Sequence, residues 1–489
     1  MKREKHIAVI AVLVCLIVLS GIALHAEEVK STSGAVSPTK DSQPANAWDK
    51  WWSNFNNPTP YLKMGLDFRF RTIYAKNIDT LEDDAKSGKH SRSIWNFQRY
   101  RARWSTKWLL NTDVDFNTRL TWEFRTWEDP ERKKPGYEDL EEALFDTMNI
   151  TARNLFGAPL TAVIGRQDLI FGNGWLVLDG TPLDGSRTIF VDAARFTYDW
   201  KEKETKIDLV YIDHAAAADR WLKPINDSQK GLTEQDEYGA ILYLTNKSME
   251  KTQLEGYFMY KNDNPVDYTA DFPASLSRKA EIFTFGGAIQ SKIDDHWNYR
   301  VEGATQGGTK DDSSGITHDL RTYGANTILN YDKKDEQDTN YHIGYEYCSG
   351  DDPGTDDIEQ FDPLWAEWPR WSELYIYAYS RETAIGESTN VHRFNIGHKF
   401  NPCEKWQICT DYHYLLADDN SITAGPANDF VISPHSKFRG QLFTCWAKYK
   451  VNKQLSGHLL GEYLIPGSYY DQSNRDHAYF LRFNVEYRF

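Results

Sequence analysis

Residues 479–489 read YFLRFNVEYRF and are the last of the sequence. Tyr479, Leu481, Phe483, Val485, Tyr487 and Phe489 alternate with Arg482, Asn484, Glu486 and Arg488. A period of two marks an extended strand with one apolar and one wet face. In a soluble sandwich the apolar face would meet a second sheet. In a transmembrane barrel it would meet lipid, and the polar face would line the lumen.

The pattern recurs. Leu66, Phe68 and Phe70 alternate with Asp67, Arg69 and Arg71, and Tyr100, Ala102 and Trp104 with Arg99, Arg101 and Arg103. Leu120, Trp122 and Phe124 alternate with Arg119, Glu123 and Arg125, and Trp297, Tyr299 and Val301 with Asn298, Arg300 and Glu302. Strands are expected near 61–74, 93–110, 113–127, 143–153, 160–170, 188–200, 206–213, 236–245 and 252–260. Further ones are expected near 281–292, 296–305, 319–331, 338–347, 389–400, 405–416, 437–450, 454–463 and 479–489. The gaps alternate. Long ones such as 171–187, 306–318 and 348–388 interleave with tight ones such as Asn111-Thr112, Asp294-Asp295 and Asn452-Lys453. Long loops at one rim and short turns at the other are the arrangement of outer-membrane barrels, and a sandwich has no reason to keep it. The stretch 372–379 (SELYIYAY) also looks strand-like. Counting it would break the alternation, so it is assigned to the long loop. The expected fold is therefore an all-β, closed antiparallel transmembrane β-barrel of about 18 strands over 61–489, with long extracellular loops and short periplasmic turns.

Composition agrees. The chain of 489 residues has a mean hydropathy of −0.64 and 14% aromatic residues. The first value excludes a bundle of membrane helices, and the second suits interfacial girdles. Lys2, Arg3 and Lys5 precede an apolar run from Ile7 to Leu19, and Leu24-His25-Ala26 offers a cleavage site. Residues 1–26 read as a removed signal peptide, with a retained anchor as the alternative. Residues 27–60 read as a disordered leader followed by an aromatic interfacial segment carrying Trp48, Trp51, Trp52 and Phe55. Loss of the signal would remove three bases and one acid and leave the net charge of −15 two units more negative. An acidic exterior argues against nucleic acid as a partner. The four remaining cysteines, Cys348, Cys403, Cys409 and Cys445, are too sparse for a disulfide framework.

Eighteen strands enclose a lumen too wide for side chains to fill, so function is expected on the polar face. On the first three strands that face carries Arg69, Arg71, Arg99, Arg101, Arg103, Lys107, Arg119 and Arg125, against Asp67 and Glu123. Positive charge on a low-dielectric wall recruits anions, and the arginine fork matches a carboxylate. The competing reading is that acids on neighbouring strands neutralise these bases. Acidic loops such as Gly350-Asp351-Asp352 and Asp356-Asp357 read as solvated charge, and no metal site is expected. Phe171-Gly172-Asn173-Gly174-Trp175 lacks the Lys-Ser/Thr of a phosphate cradle, and His392 and His398 have no accompanying nucleophile. No catalytic residue and no cofactor is expected, and the protein is read as a channel without enzymatic activity.

Several segments resemble those of one known family. Gly165-Arg166-Gln167-Asp168 with Phe171-Gly172 is similar to that family's GRQ segment. Arg187-Thr188-Ile189-Phe190-Val191-Asp192-Ala193-Ala194-Arg195 is similar to its R-x-F-D-A-x-R segment, with one extra residue. Ser349-Gly350-Asp351-Asp352 and Phe361-Asp362-Pro363-Leu364 resemble its SGDD and FDPL loop, and Asp411-Tyr412-His413-Tyr414 and Tyr487-Arg488-Phe489 its last strands. These segments resemble the alginate export family of outer-membrane porins, and the resemblance implies an arginine-lined constriction that passes an anionic exopolysaccharide outward. It adds Arg166, Arg187 and Arg195 as lumen candidates, beside Arg300 from the periodicity. The expected partners are outer-membrane lipid, an anionic poly- or oligosaccharide or small anions, and periplasmic export components. The alternatives are a general diffusion porin for small nutrients, an outer-membrane barrel hydrolase, and a structural or adhesive barrel.

Overall fold

The computed structural model describes residues 47–83, 93–128, 137–179, 190–217, 221–228, 230–266, 276–383, 386–420 and 431–489. The signal peptide, most of the leader and Arg187 lie outside them. Residues Ala47–Asn56 form a helix that contains the aromatic segment.

The alternating segments become β1 (Leu62–Lys76), β2 (Ile94–Leu109), β3 (Val114–Trp127), β4 (Tyr137–Ala152) and β5 (Leu160–Gln167). Two short strands follow, β6 (Leu169–Ile170) and β7 (Leu178–Asp179), paired only with each other. Then come β8 (Val191–Trp200), β9 (Thr205–His214), β10 (Asp236–Met249), β11 (Thr252–Asn264), β12 (Ala280–Lys292), β13 (Trp297–Asp311) and β14 (Thr317–Asp332). The last are β15 (Asn340–Cys348), β16 (Val391–Cys403), β17 (Trp406–Leu416), β18 (Phe438–Lys450), β19 (Leu455–Pro466) and β20 (Ala478–Arg488).

All strands except β6 and β7 join one 18-stranded antiparallel sheet. Each pairs with its sequence neighbour, and β20 returns to β1 from Asp67↔Arg488 to Lys76↔Tyr479, so the sheet closes. Closure leaves no unpaired edge in lipid, where an unmet N–H or C=O costs several kcal/mol. The ladders differ in length. β1 pairs with β2 over its whole span, whereas β4 meets β5 only from Met148 to Ala152. Beyond Met148 the free edge of β4 is met instead by loop residues: Ile225 N–H donates to the Ala143 carbonyl at 2.6 Å, and Ala143 N–H to Asn226 Oδ1 at 3.0 Å. Phe68, Trp104, Trp122, Leu209 and Phe285 are among the exposed apolar side chains of the outer face.

Two expectations change. The gap expected at 306–318 shrinks to 312–316, because β13 and β14 continue to pair as far as Asp311↔Thr317. Gly307-Gly308 and the polar run after it read as a loop, yet the pleat accepts them. The strand-like stretch 372–379 does sit in the long loop, but as a helix, Leu374–Glu382. Leu374, Tyr375, Ala378 and Tyr379 are fully buried, which is one helical face at 3.6-residue spacing.

Candidate solute channel

Residues of two long loops pack inside the barrel. The 168–190 loop buries Leu169, Phe171, Trp175, Leu176 and Val177 against inner-wall residues of β8–β16 such as Val210, Ile241 and Leu320. The 349–390 loop adds Phe361, Leu364 and Trp365 to the same cluster. The loops also pair with each other: Trp365 N–H donates to the Leu176 carbonyl at 3.1 Å, and Leu178 N–H to the Trp365 carbonyl at 3.0 Å. Trp175 and Phe361 stack at 5.5 Å. A Cβ at Gly239 or Gly324 on the wall would strike Trp365 or Phe361 and Trp175 respectively, so bare backbone there admits the loop rings.

The segments singled out by resemblance build this arrangement. Gly172 has φ +55°, and a Cβ there would lie 2.8 Å from Arg300 Nη2. Only glycine lets the loop turn over the buried pair in which Arg300 binds both Glu255 oxygens, at 2.6 and 3.1 Å. Arg195 donates to Asp208 at 2.8 Å and lies over the Phe171 ring. Asp362 caps Leu364 N–H at 2.9 Å and accepts from Lys310 Nζ at 3.1 Å. Burial opposes ionisation of Asp362, but Lys261 and Lys310 outweigh it and hold its pKa at about 2.

The helix Leu374–Glu382 is clamped at both ends by the wall. Glu462 on β19 accepts from the Glu373 and Leu374 N–H groups, both at 2.9 Å, and from the Ser372 hydroxyl at 2.5 Å. A carboxylate at a helix N-terminus satisfies open donors and meets the positive end of the dipole. At the other end Arg439 on β18 binds both oxygens of Glu382, at 2.7 and 2.6 Å. Tyr375 and Tyr379 pack with Leu442, Leu464 and Phe480 of the wall and with Ile73, Phe97 and Trp127.

Just below that apolar layer the inner faces of β1–β3 turn basic. Arg69, Arg71, Arg99, Arg101 and Arg103 are all buried and share the inward parity. The register sets like charges opposite each other: Arg69↔Arg101, Arg71↔Arg99 and Arg99↔Arg125. Glu123 stands among them, hydrogen-bonded to Arg99 and 3.6 Å from Arg69. Arg101 reaches Asp67 at 3.0 Å, and Arg71 donates to Asn484 at 2.7 Å.

Acids of β4 meet the outer members of this group. Asp139 binds Arg125 at 2.6 Å, while Asp146 binds Arg119 at 2.7 Å and lies 3.7 Å from Arg103. Asp168 at the loop entrance takes Arg119 as well, at 2.9 Å. These partners escaped the sequence reading because cross-strand pairing depends on register, and Asp146 occupies a bulge at which the register shifts. Arg482 on β20, opposite Ile73 and 2.9 Å from Glu373, extends the basic surface across the barrel closure. Arg166 behaves differently. It pairs with Asp192 at 3.1 Å and has the parity of Ile164 and Ala194, the outward one, because one residue separates the two faces. Its guanidinium is buried under the Phe190 ring and donates to the Phe145 carbonyl of β4 at 3.0 Å.

A closed eighteen-stranded barrel with amphipathic strands, a polar inner wall and inward loops is an outer-membrane channel. The alginate export family matches residues 60–481, and the chain belongs to that family. No curated protein matches the chain in sequence. Solved barrels share its fold. Acinetobacter baumannii OccAB2 is 11% identical, with 87% of this chain and 98% of that chain covered and a TM-score of 0.53. Pseudomonas aeruginosa OpdO is 11% identical, with 88% and 97% covered and a TM-score of 0.53. Pseudomonas aeruginosa OccK2 (OpdF) is 9% identical, with 87% and 97% covered and a TM-score of 0.53.

Proposed function

We propose that the channel passes anionic saccharide chains, of the alginate type named by the family, passively and outward along the arginine face of β1–β3. The observation that carries this reading is the register. Like charges directly opposite destabilise an antiparallel pair, yet Arg69↔Arg101, Arg71↔Arg99 and Arg99↔Arg125 are built into adjacent ladders. A wall that needed only solvation would alternate its signs. Here Glu123 alone stands among the five arginines, the other acids sit at the margin, and positive charge is in excess just below the loop helix. The inward loops favour this reading over a general diffusion porin, since they narrow the lumen where the arginines lie. Periplasmic export components would hand over the chain, and the channel itself performs no chemistry.

The test is the reversal potential of the purified protein in planar bilayers under a salt gradient. Anion preference is expected, with current block by uronate oligomers. Arg101→Glu and Arg103→Glu should each weaken both effects. A clear cation preference in the parent protein would sink the proposal.

A further inference from the structure

A cavity of about 330 Å³ opens between the 349–390 loop and the inner wall of β14–β18. That is at the lower end of the range for small-ligand sites. Asn173 reaches it from the 168–190 loop, Arg370 and Trp371 from the 349–390 loop, and Arg393 and His413 from β16 and β17. Four polar atoms of its lining have no hydrogen-bond partner among the described residues: Asn173 Oδ1, Trp371 Nε1, Ser388 Oγ and His413 Nε2. They come from three separate segments, so no local turn accounts for them. Buried polar groups are almost always satisfied, and four orphans around one cavity call for an explanation.

Their chemistry is defined. His413 is 2% exposed, and its Nδ1 lies 3.3 Å from Arg393 Nη1. A guanidinium only donates, so Nδ1 accepts and Nε2 carries the hydrogen. The cavity therefore holds two unspent N–H donors, one unspent amide oxygen and one unspent hydroxyl. The acids nearby are already engaged: Glu346 accepts from Arg393 at 2.8 Å, and Asp411 from the His342 ring at 2.7 Å. Trp368, Arg370, Trp371 and Trp446 border this cavity and also a larger one of about 920 Å³ that reaches the short-turn residues Lys405 and Asn452. A solute entering from that rim would pass these side chains.

We propose that the smaller cavity is a binding subsite for one hexuronate residue. The C–H face of the pyranose would lie on indole. The ring and hydroxyl oxygens would take the Trp371 and His413 N–H groups, a hydroxyl would donate to Asn173, and Arg370 would take the carboxylate. This inference rests on the channel being a path for anionic saccharide, and it adds a discrete stop on that path, on the β14–β18 wall.

The experiment is calorimetric titration of the full-length protein in detergent with a hexuronate trimer and with a neutral hexose trimer. The uronate trimer should bind, and the neutral one at least about tenfold more weakly, a difference of ~1.4 kcal/mol. Trp371→Phe removes the N–H and keeps a ring, and Asn173→Leu removes the amide at similar volume. Each should weaken uronate binding about tenfold, with folding of each variant checked by heat-modifiable electrophoretic mobility. Equal binding of the two trimers, binding of neither, or parental affinity in both variants overturns the subsite. The reversal potential keeps the two readings apart. An anion-selective channel that binds no trimer refutes the subsite alone, and a cation-selective one that binds the uronate trimer refutes the arginine path alone.

Discussion

Glu123 has the most exacting position of any single residue in the wall. It stands opposite Arg101, bonds Arg99 and faces Arg69, all away from bulk water. Removing one member of a buried charged group typically costs about 3–5 kcal/mol, because the partners stay buried and uncompensated. Glu123→Gln should therefore lower the thermal unfolding midpoint while shifting the reversal potential further toward anions. A variant with lower stability and unchanged selectivity would make Glu123 a purely structural counter-ion. The arginines were legible in the sequence because each stands at an alternate position in a strong period-two pattern. Their acids were not, since Asp139 and Asp146 become partners only through the register of β3 and β4. Arg166 shows the limit of transferring a motif: GRQ is present, and its arginine is engaged by Asp192 and the Phe145 carbonyl.

At the scale of the element, the loop helix is held by groups that belong to the wall. Arg439→Met would leave the Glu382 carboxylate buried with only the Tyr469 and Tyr470 hydroxyls as partners, a loss of about 3–5 kcal/mol from the docked state. Single-channel recordings should then show larger and noisier conductance, whereas parental current would mean that the helix does not gate the lumen. Acidity gives a second handle. Glu234, in the 215–235 loop, is raised by burial, and by Glu237 and Glu387 beside it, from 4.5 to about 8. The folded loop thus holds a proton more tightly than the unfolded chain. Its stabilisation is full below about 4.5 and is lost as pH rises through about 8. Thermal midpoints measured from pH 5 to 9 should fall across that window, and Glu234→Gln should flatten the fall. A parallel decline in the variant would place the cause elsewhere. The strands were legible and the loop helix was not, although Leu374, Tyr375, Ala378 and Tyr379 carry a helical spacing. A short Tyr/Ile run satisfies both periods, and the capping carboxylate that decides between them lies on β19, far along the chain.

For the whole molecule, the alternation of long and short connections gave the strand number and placed both ends of the barrel sheet at the short-turn rim. It was silent on the lumen, because loops that pack inward and loops that wave in solvent have similar composition. Deleting the inward part of the 349–390 loop should leave a barrel that still inserts and conducts more, with much of its anion preference kept by the β1–β3 wall. Collapse of the preference would assign selectivity to the loop instead.

The brief ladder between β4 and β5 has a mechanical meaning. A cylinder opens along its least-bonded line, and here that line is not the one where the first and last strands meet. Force or heat should split the wall at Met148–Ala152 first, where the 221–226 segment and the Arg166 and Asn149 side chains supplement the ladder. Amide hydrogens of that short stretch should exchange fastest of any in the strands. If the lumen ever exchanges contents with the surrounding lipid, it does so there.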